Sequence, residues 1–340
     1  MTKYIVSGYI GFDNFGDEAI AKVLTDYLKQ NKAEKITYIS SNPQKTAKLY
    51  EIDTVGMFNF LPALIKSDVL ISGGGSLLQD ITSLRSLIYY LLIILAALIF
   101  RKKVLIFSQG FTQFRTKLGE RLTFTILKHC HEITVRDKKS QEYLKKNGIE
   151  SKLISDPVFA LKTPLCEKKE IVGIQLRDCQ NLTNSFLENL ANEIVKKFSS
   201  KEIRIISLQD NIDLGIALKF KEMLYAKNIQ AKIENNLTID KTIELISEVE
   251  YIIAMRFHAC LVASKSSVKV LGINYDNKVE KLANEIGFST IELNGANIAE
   301  GFESLINTLP ESYTIPEFDF NDITLLNSPR GYWLLFYNQI

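Results

Sequence analysis

Residues 4–20 read YIVSGYIGFDNFGDEAI. A short apolar run gives way to Gly8, Gly11 and Gly16. The acidic pair Asp17–Glu18 then opens an amphipathic stretch that reaches Gln30. A strand that turns through glycines into a helix is how a wound α/β sheet begins. Gly11 and Gly16 have the spacing of a phosphate-binding P-loop. The lysine and hydroxyl that such a loop needs are replaced here by Asp17 and Glu18, which excludes it. The G-x-G-x-x-G dinucleotide fingerprint is missing as well. Acidic side chains suit the positive end of a helix, and Asn14 and Asp17 can hydrogen-bond sugar hydroxyls.

Outward from this stretch the same rhythm repeats. YIVS, ITYIS, DVLISGGG, KVLIFSQG and EITVRD read as strands, with helical patterns between them such as Glu18–Gln30 and Lys138–Asn147. Their apolar character on both faces is that of buried parallel strands. After a linker at Ala160–Glu170 the rhythm restarts at EIVGIQLRD and continues through IRIISLQD, EYIIAM and VKVLGINYD. The expectation is an α/β chain of two Rossmann-like doubly wound domains, residues 1–160 and 161–315. An aromatic tail, residues 316–340, carries the only tryptophan, Trp333.

Composition narrows the function classes. The 340 residues are 46% hydrophobic and 24% charged, with 41 basic against 39 acidic side chains and a net charge of +2. A dedicated nucleic-acid binder would show a strong basic excess. Cys130, Cys166, Cys179 and Cys260 have no metal-type spacing, and the N-terminus enters the first strand without a leader pattern, so a cytoplasmic setting is expected. The run LIYYLLIILAALIF, Leu87–Phe100, is wholly apolar and precedes Arg101, Lys102 and Lys103. It is short for a membrane span, which needs roughly 20 residues. It reads as a core helix or as a segment lying on the inner leaflet, and for the second reading Leu91 and Ile94 are expected to face lipid.

Doubly wound sheets bind ligands beyond the carboxyl ends of their strands. Those positions hold Gly74, Gly75, Gln79 and Asp80 after the SGGG run, Gln109 in FSQGF, and Arg136 in TVRDKKS with Asp137 as a helix cap. In the second half they hold Arg177, then Gln209 and Asp210, then Arg256 and His258 in AMRFHACLVA, then Asp276 and Lys278. His129 and His131 flank Cys130 without further ligands and read as structural. Arginine forks hold carboxylates and phosphates bidentately, and no carboxylate cluster asks for magnesium. The pattern fits a small, multiply charged anion handled without a metal or other cofactor.

These motifs, GYIGFDNFGDEAI, SGGGSLLQDITSLRSLIYY, ITVRDKKS with SDPVFAL, and MRFHACLVA with GINYDNKV, together resemble the polysaccharide pyruvyl transferases of the bacterial CsaB type, up to about Leu293. The resemblance implies a GT-B-like arrangement with an interdomain cleft. It also implies phosphoenolpyruvate as donor, and transfer of its enolpyruvyl carbons to a sugar, typically N-acetylmannosamine, of a cell-wall precursor that is often lipid-linked. A cyclic ketal forms and phosphate leaves. In these terms His258 is the candidate general acid, or equally the base that takes the proton of an attacking hydroxyl, and Arg256 is a catalytic residue that, with Arg136, clamps the donor's carboxylate and phosphate. Arg136, Arg177, Lys278 and Gln109 hold the donor. Asn14, Asp17, Glu18, Gly74, Gly75, Gln79 and Asp80 face the acceptor. Phe257, Asn277, Asp178 and Cys179 depart from the family pattern and bear on the acceptor. Two rivals are a GT-B glycosyltransferase using a nucleotide sugar, with Asp210 or Glu248 on the ribose, and a non-catalytic scaffold whose arginines and histidine are internally paired.

Overall fold

The computed structural model describes residues 1–81 and 83–327; the rest of the aromatic tail, with Trp333, lies outside them. The chain divides into two compact units, one of Met1–Ala160 joined by the segment from Glu317 onward, the other of Leu161–Pro316.

In the first unit the elements run β1 (Lys3–Ser7), α1 (Phe15–Gln30), β2 (Lys35–Ser40), α2 (Pro43–Tyr50), β3 (Asp53–Gly56), α3 (Leu61–Lys66) and β4 (Val69–Ser72). They continue with α4 (Leu84–Ile99), β5 (Lys103–Gln109), α5 (Lys117–Leu127), β6 (Glu132–Val135), α6 (Lys138–Lys146) and β7 (Lys152–Leu153). All strands pair in parallel, in the order β3-β2-β1-β4-β5-β6-β7. The order reverses between β1 and β4, and a parallel α/β sheet presents its ligand crevice at such a switch point.

The second unit repeats the plan: β8 (Lys169–Gln175), α7 (Asn184–Phe198), β9 (Glu202–Ile206), α8 (Asp210–Tyr225), β10 (Ala231–Glu234), α9 (Ile239–Glu248) and β11 (Val249–Ala254). It ends with α10 (Phe257–Lys265), β12 (Lys269–Asn274), α11 (Asn277–Ile286), β13 (Ser289–Glu292) and α12 (Ile298–Asn307). The sheet order is β10-β9-β8-β11-β12-β13, with its switch point between β8 and β11. A short helix α13 (Thr324–Asn327) follows on the first unit. There Tyr27 stacks on Phe320, and Phe107 meets Phe318 and Phe320.

Side-chain caps set where the helices begin. Asn14, Asn42, Ser83, Thr116, Asp137, Thr183, Thr238 and Asp276 each accept a first-turn amide. Such a cap is worth about 1 kcal/mol. Each unit closes on its own core: Ile5, Leu70, Leu91, Ile106 and Val135 belong to the first, and Val172, Ile205, Phe220, Ile253 and Phe302 to the second.

Helix α4 corrects one expectation. Leu91 and Ile94, expected to face lipid, are core residues at 3% and 1% exposure. The exposed large apolar positions of α4 are Ile88, Leu92, Leu95 and Ile99. Helical periodicity explains this, because positions three and four apart share a face. No helix among the described residues is long and apolar enough to cross a membrane.

Candidate functional site

In the first unit the carboxyl ends of β1, β4, β5 and β6 gather one group of residues. Asn14 caps α1 by accepting the Gly16 amide and donates to Asp17 Oδ2 at 2.6 Å. The other oxygen, Asp17 Oδ1, stands over Gly75, where a methyl group would lie only 3.0 Å from it. Gly75 has φ +97°, a backbone conformation that favours glycine. Gly73 donates to Ser7 O at 2.6 Å, and a methyl on Gly74 would press on Ile20 of α1. The triple glycine therefore lets the loop after β4 fit against β1 and α1.

Gln109 is fully buried beneath this loop. Its Oε1 accepts the Leu77 amide at 3.1 Å and its Nε2 donates to Gly73 O. Arg136 extends across Gly110, and Nη1 pairs with Asp156 Oδ2 at 2.9 Å while Nη2 donates to Ser76 Oγ at 3.2 Å. Asp156 is itself buried.

Two acidic candidates are turned inward. Glu18 is 6% exposed, accepts the Gly11 amide at 2.8 Å and is hydrogen-bonded by the Tyr50 hydroxyl. Burial raises its carboxyl above the usual range, against the opposing pull of those bonds. Asp80, expected at the start of a helix and facing the acceptor, lies before the cap Ser83 and holds the N-terminus of α5 instead. It accepts from the Arg115 and Thr116 amides at 2.7 and 2.8 Å and from Thr116 Oγ1 at 2.6 Å. Burial pushes its carboxyl up, and these three donors outweigh that and hold it low. Both carboxylates are buried and already hydrogen-bonded to backbone amides and side-chain hydroxyls of the first unit. Gln79 accepts the Ile81 amide at 2.7 Å.

In the second unit the charge gathers around Arg256, which precedes α10 as its cap residue. Its guanidinium makes a two-pronged pair with Asp213, Nε to Oδ2 at 2.8 Å and Nη2 to Oδ1 at 2.7 Å. Nη2 also reaches Gln209 Oε1 at 3.1 Å, and the backbone amide donates to Gln175 Oε1 at 2.8 Å. Asp213 is wholly buried, so its charge is balanced by arginine rather than by water. Nη1 is the edge of the fork that these bonds leave over.

Around it, Arg177 follows β8, with its guanidinium carbon 5.5 Å from the centre of the Tyr275 ring and Nη1 at 3.4 Å from the Tyr275 hydroxyl. Burial pushes that hydroxyl up to about 12, with Asp276 adding and both Arg177 and Arg256 opposing. One phenol thus feels both arginines. Asp276 caps α11 through the Lys278 amide at 2.9 Å. His258 lies in the first turn of α10, half-buried, with its ring edge-on to Phe257 at 5.0 Å. The structure thus brings Arg256, Arg177, Lys278 and His258 to the carboxyl ends of β8, β11 and β12. Asp213, Gln175, Tyr275, Ser76, Asp156 and Tyr50 were missed as partners, although NYD and SDP lie within motifs already singled out.

Glu248 falls elsewhere. It ends α9 at the start of β11, bonded to Lys169 and Arg204, at the amino end of the strand. That position does not suit the ribose contact considered for it. Asp210 accepts from Ser207 Oγ at 2.5 Å and from the Asn236 amide at 2.9 Å. No group of three metal-ligating side chains is found among the described residues.

A family model described as polysaccharide pyruvyl transferase matches residues 14–277. No curated protein matches the chain. Among solved structures, UDP-GlcNAc 2-epimerase from Methanocaldococcus jannaschii is 14% identical with a TM-score of 0.66, over 98% of this chain and 99% of that one. The Neisseria meningitidis UDP-GlcNAc 2-epimerase bound to UDP-GlcNAc is 14% identical with a TM-score of 0.63, over 100% of both chains. The S. aureus MnaA–UDP structure is 11% identical with a TM-score of 0.66, over 100% of this chain and 98% of that one. These likenesses establish a two-domain fold of the GT-B kind and nothing of the chemistry.

Proposed function

The chain belongs to the polysaccharide pyruvyl transferase family, and from that premise we propose that it transfers the enolpyruvyl group of phosphoenolpyruvate to a sugar of a cell-wall or exopolysaccharide precursor, N-acetylmannosamine being the first acceptor to test. The product is a cyclic pyruvate ketal, and phosphate is released. The observation that carries this reading is Arg256, a buried guanidinium fixed on two sides by Asp213 and Gln209. A fork held this firmly offers its remaining edge at little entropic cost.

The donor belongs to the second unit on this reading. Arg256 Nη1, Arg177 and Lys278 meet its carboxylate and phosphate, next to the positive end of α10. His258 protonates the methylene carbon, which becomes the methyl group and leaves an oxocarbenium-like centre beside it. One sugar hydroxyl attacks that centre, phosphate departs, and the second hydroxyl closes the ring. Of the two hydroxyl protons, one replaces the proton given by His258 and the other leaves with phosphate. Arginines fixed before the reaction stabilise the departing charge.

The acceptor belongs to the first unit, at Asn14, Asp17, Gly74, Gly75 and Gln79. Arg136 and Gln109, read from the sequence as donor ligands, lie in the first unit beside that loop; on this reading Arg136 meets the acceptor, and Gln109, fully buried, braces the loop. Glu18 and Asp80 support the loop from beneath.

Thermal unfolding tests the donor. Phosphoenolpyruvate is expected to raise the midpoint by linkage, and UDP-sugars are not. Asp213→Asn is expected to abolish the shift and to lower kcat/KM for the donor at least about a hundredfold, because it releases the Arg256 fork and the loss of one preorganised donor costs on the order of 10²–10³. Breaking the buried pair also costs about 3–5 kcal/mol of stability. Arg177→Ala therefore serves as the variant whose folding is less at risk. A shift with a UDP-sugar alone would instead favour nucleotide-sugar transfer.

A further inference from the structure

The outer face of one helical layer in the first unit is apolar and basic at once. Helices α3, α4 and α5 follow crossovers that run the same way along the sheet, from β3 to β4, β4 to β5 and β5 to β6. Right-handed connections put such helices on one face, and α4 packs against both neighbours. Along α4, Ile88, Leu92, Leu95 and Ile99 form a single stripe, at 37%, 55%, 38% and 66% exposure. Leu118 and Leu122 extend it on α5, and Leu61 and Ile65 extend it on α3. Scattered exposed leucines need no explanation, but a contiguous patch marks an interaction surface.

Charge decides what the surface meets. Between Phe58 and Lys128 the chain carries nine lysines and arginines against three acidic residues, which leaves 32 against 36 elsewhere. All three acids are occupied: Asp68 accepts the Lys3 amide, Asp80 holds the Arg115–Thr116 lead into α5, and Glu120 accepts from the Tyr143 hydroxyl. Lys66, Arg85, Arg101, Lys117, Arg121 and Lys128 are exposed, and α4 has no acidic residue. A second copy docked on this face by two-fold symmetry would set like charges against each other. An apolar stripe with a basic rim matches acyl chains beneath anionic headgroups.

We propose that the α3–α4–α5 face is a docking surface for an anionic bilayer, with Ile88, Leu92, Leu95 and Ile99 entering the acyl boundary and the basic rim at the headgroups. It stands independently of the pyruvyl-transfer reading, which no residue of this face serves.

Flotation of the full chain with phosphatidylcholine vesicles, with and without phosphatidylglycerol, tests it at low and high salt. The chain is expected to float with the anionic vesicles and to lose binding as salt screens the rim. Leu92→Ser and Ile99→Ser are each expected to reduce partitioning about tenfold or more, from the loss of one buried aliphatic side chain. Arg121→Glu is expected to weaken it while leaving the fold unchanged by circular dichroism. Failure to float, or equal flotation of a Leu92→Ser, Ile99→Ser double variant, overturns the proposal. So does a dimer by light scattering that Leu92→Ser converts to a monomer, since the face would then join two copies of this chain.

Discussion

Arg256 and Arg136 answer the same problem in the two units: a strand-end arginine must keep its charge while most of its surface is buried. Each does so against a buried aspartate from a distant part of the chain, Asp213 and Asp156. The arginines were legible in the sequence because they follow apolar runs. Their partners were not, because Asp213 lies in the first turn of α8 and no spacing rule connects it to β11. Glu18 and Asp80 read as ligands for the same reason: a carboxylate after a glycine turn looks free until Tyr50, or the amides of Arg115 and Thr116, are seen to use it. His131, read as structural, shows what such use does to titration. The Val104 amide donates to its Nδ1 at 3.2 Å. Burial, with the Lys103 ammonium adding, pushes the imidazole down to about 4. The unfolded chain therefore takes up this proton first, so the stability it confers is complete above about pH 6.5 and is lost as pH falls toward 4. In melting curves the midpoint gap between the wild type and His131→Gln should narrow across that window. A gap that stays constant would show that His131 does not titrate there.

Elements with long apolar runs were readable, and the short ones were not. The strands around both switch points, β1, β4, β8 and β11, are four to seven residues long and largely buried, so their sequences announce them. The strands β3, β7, β10 and β13 were missed. They are two to four residues long, carry exposed polar positions and lie toward the sheet edges, where one side has no partner to impose a pattern. Helix α4 is a different failure. Its composition is so uniformly apolar that no polar face marks which of its helical stripes is core, and packing decides it. That separation has a measurable consequence. Leu91→Ala and Ile94→Ala should each cost about 2–5 kcal/mol in denaturant unfolding, because they leave cavities in a closed core. Leu92→Ser, at 55% exposure, should stay within about 0.5 kcal/mol. Equal losses at positions 91 and 92 would mean that the outer stripe is covered in solution.

At the scale of the whole molecule the repeated plan matters more than any one contact. The two units share one strand order over six strands, to which the first adds β7, and their cores share no residue. The chain passes between them only near Ala160 and again near Pro316. Tandem domains of this kind violate two-state unfolding, so calorimetry of the full chain should show two transitions. Ile94→Ala should lower one of them, identifying it with the first unit. Phosphoenolpyruvate should raise the other, by about 2.7 kcal/mol at a hundredfold excess over Kd, because Arg256, Arg177 and Lys278 all lie in the second unit. Hydrogen exchange should report the same ligand as new protection after β8, β11 and β12. Arg136→Gln decides the assignment of the first unit. If the donor-induced rise is unchanged in that variant, Arg136 does not hold phosphoenolpyruvate, as proposed. If the rise falls with Arg136→Gln as it does with Asp213→Asn, the donor draws on both arginines and the division of donor and acceptor between the units is wrong.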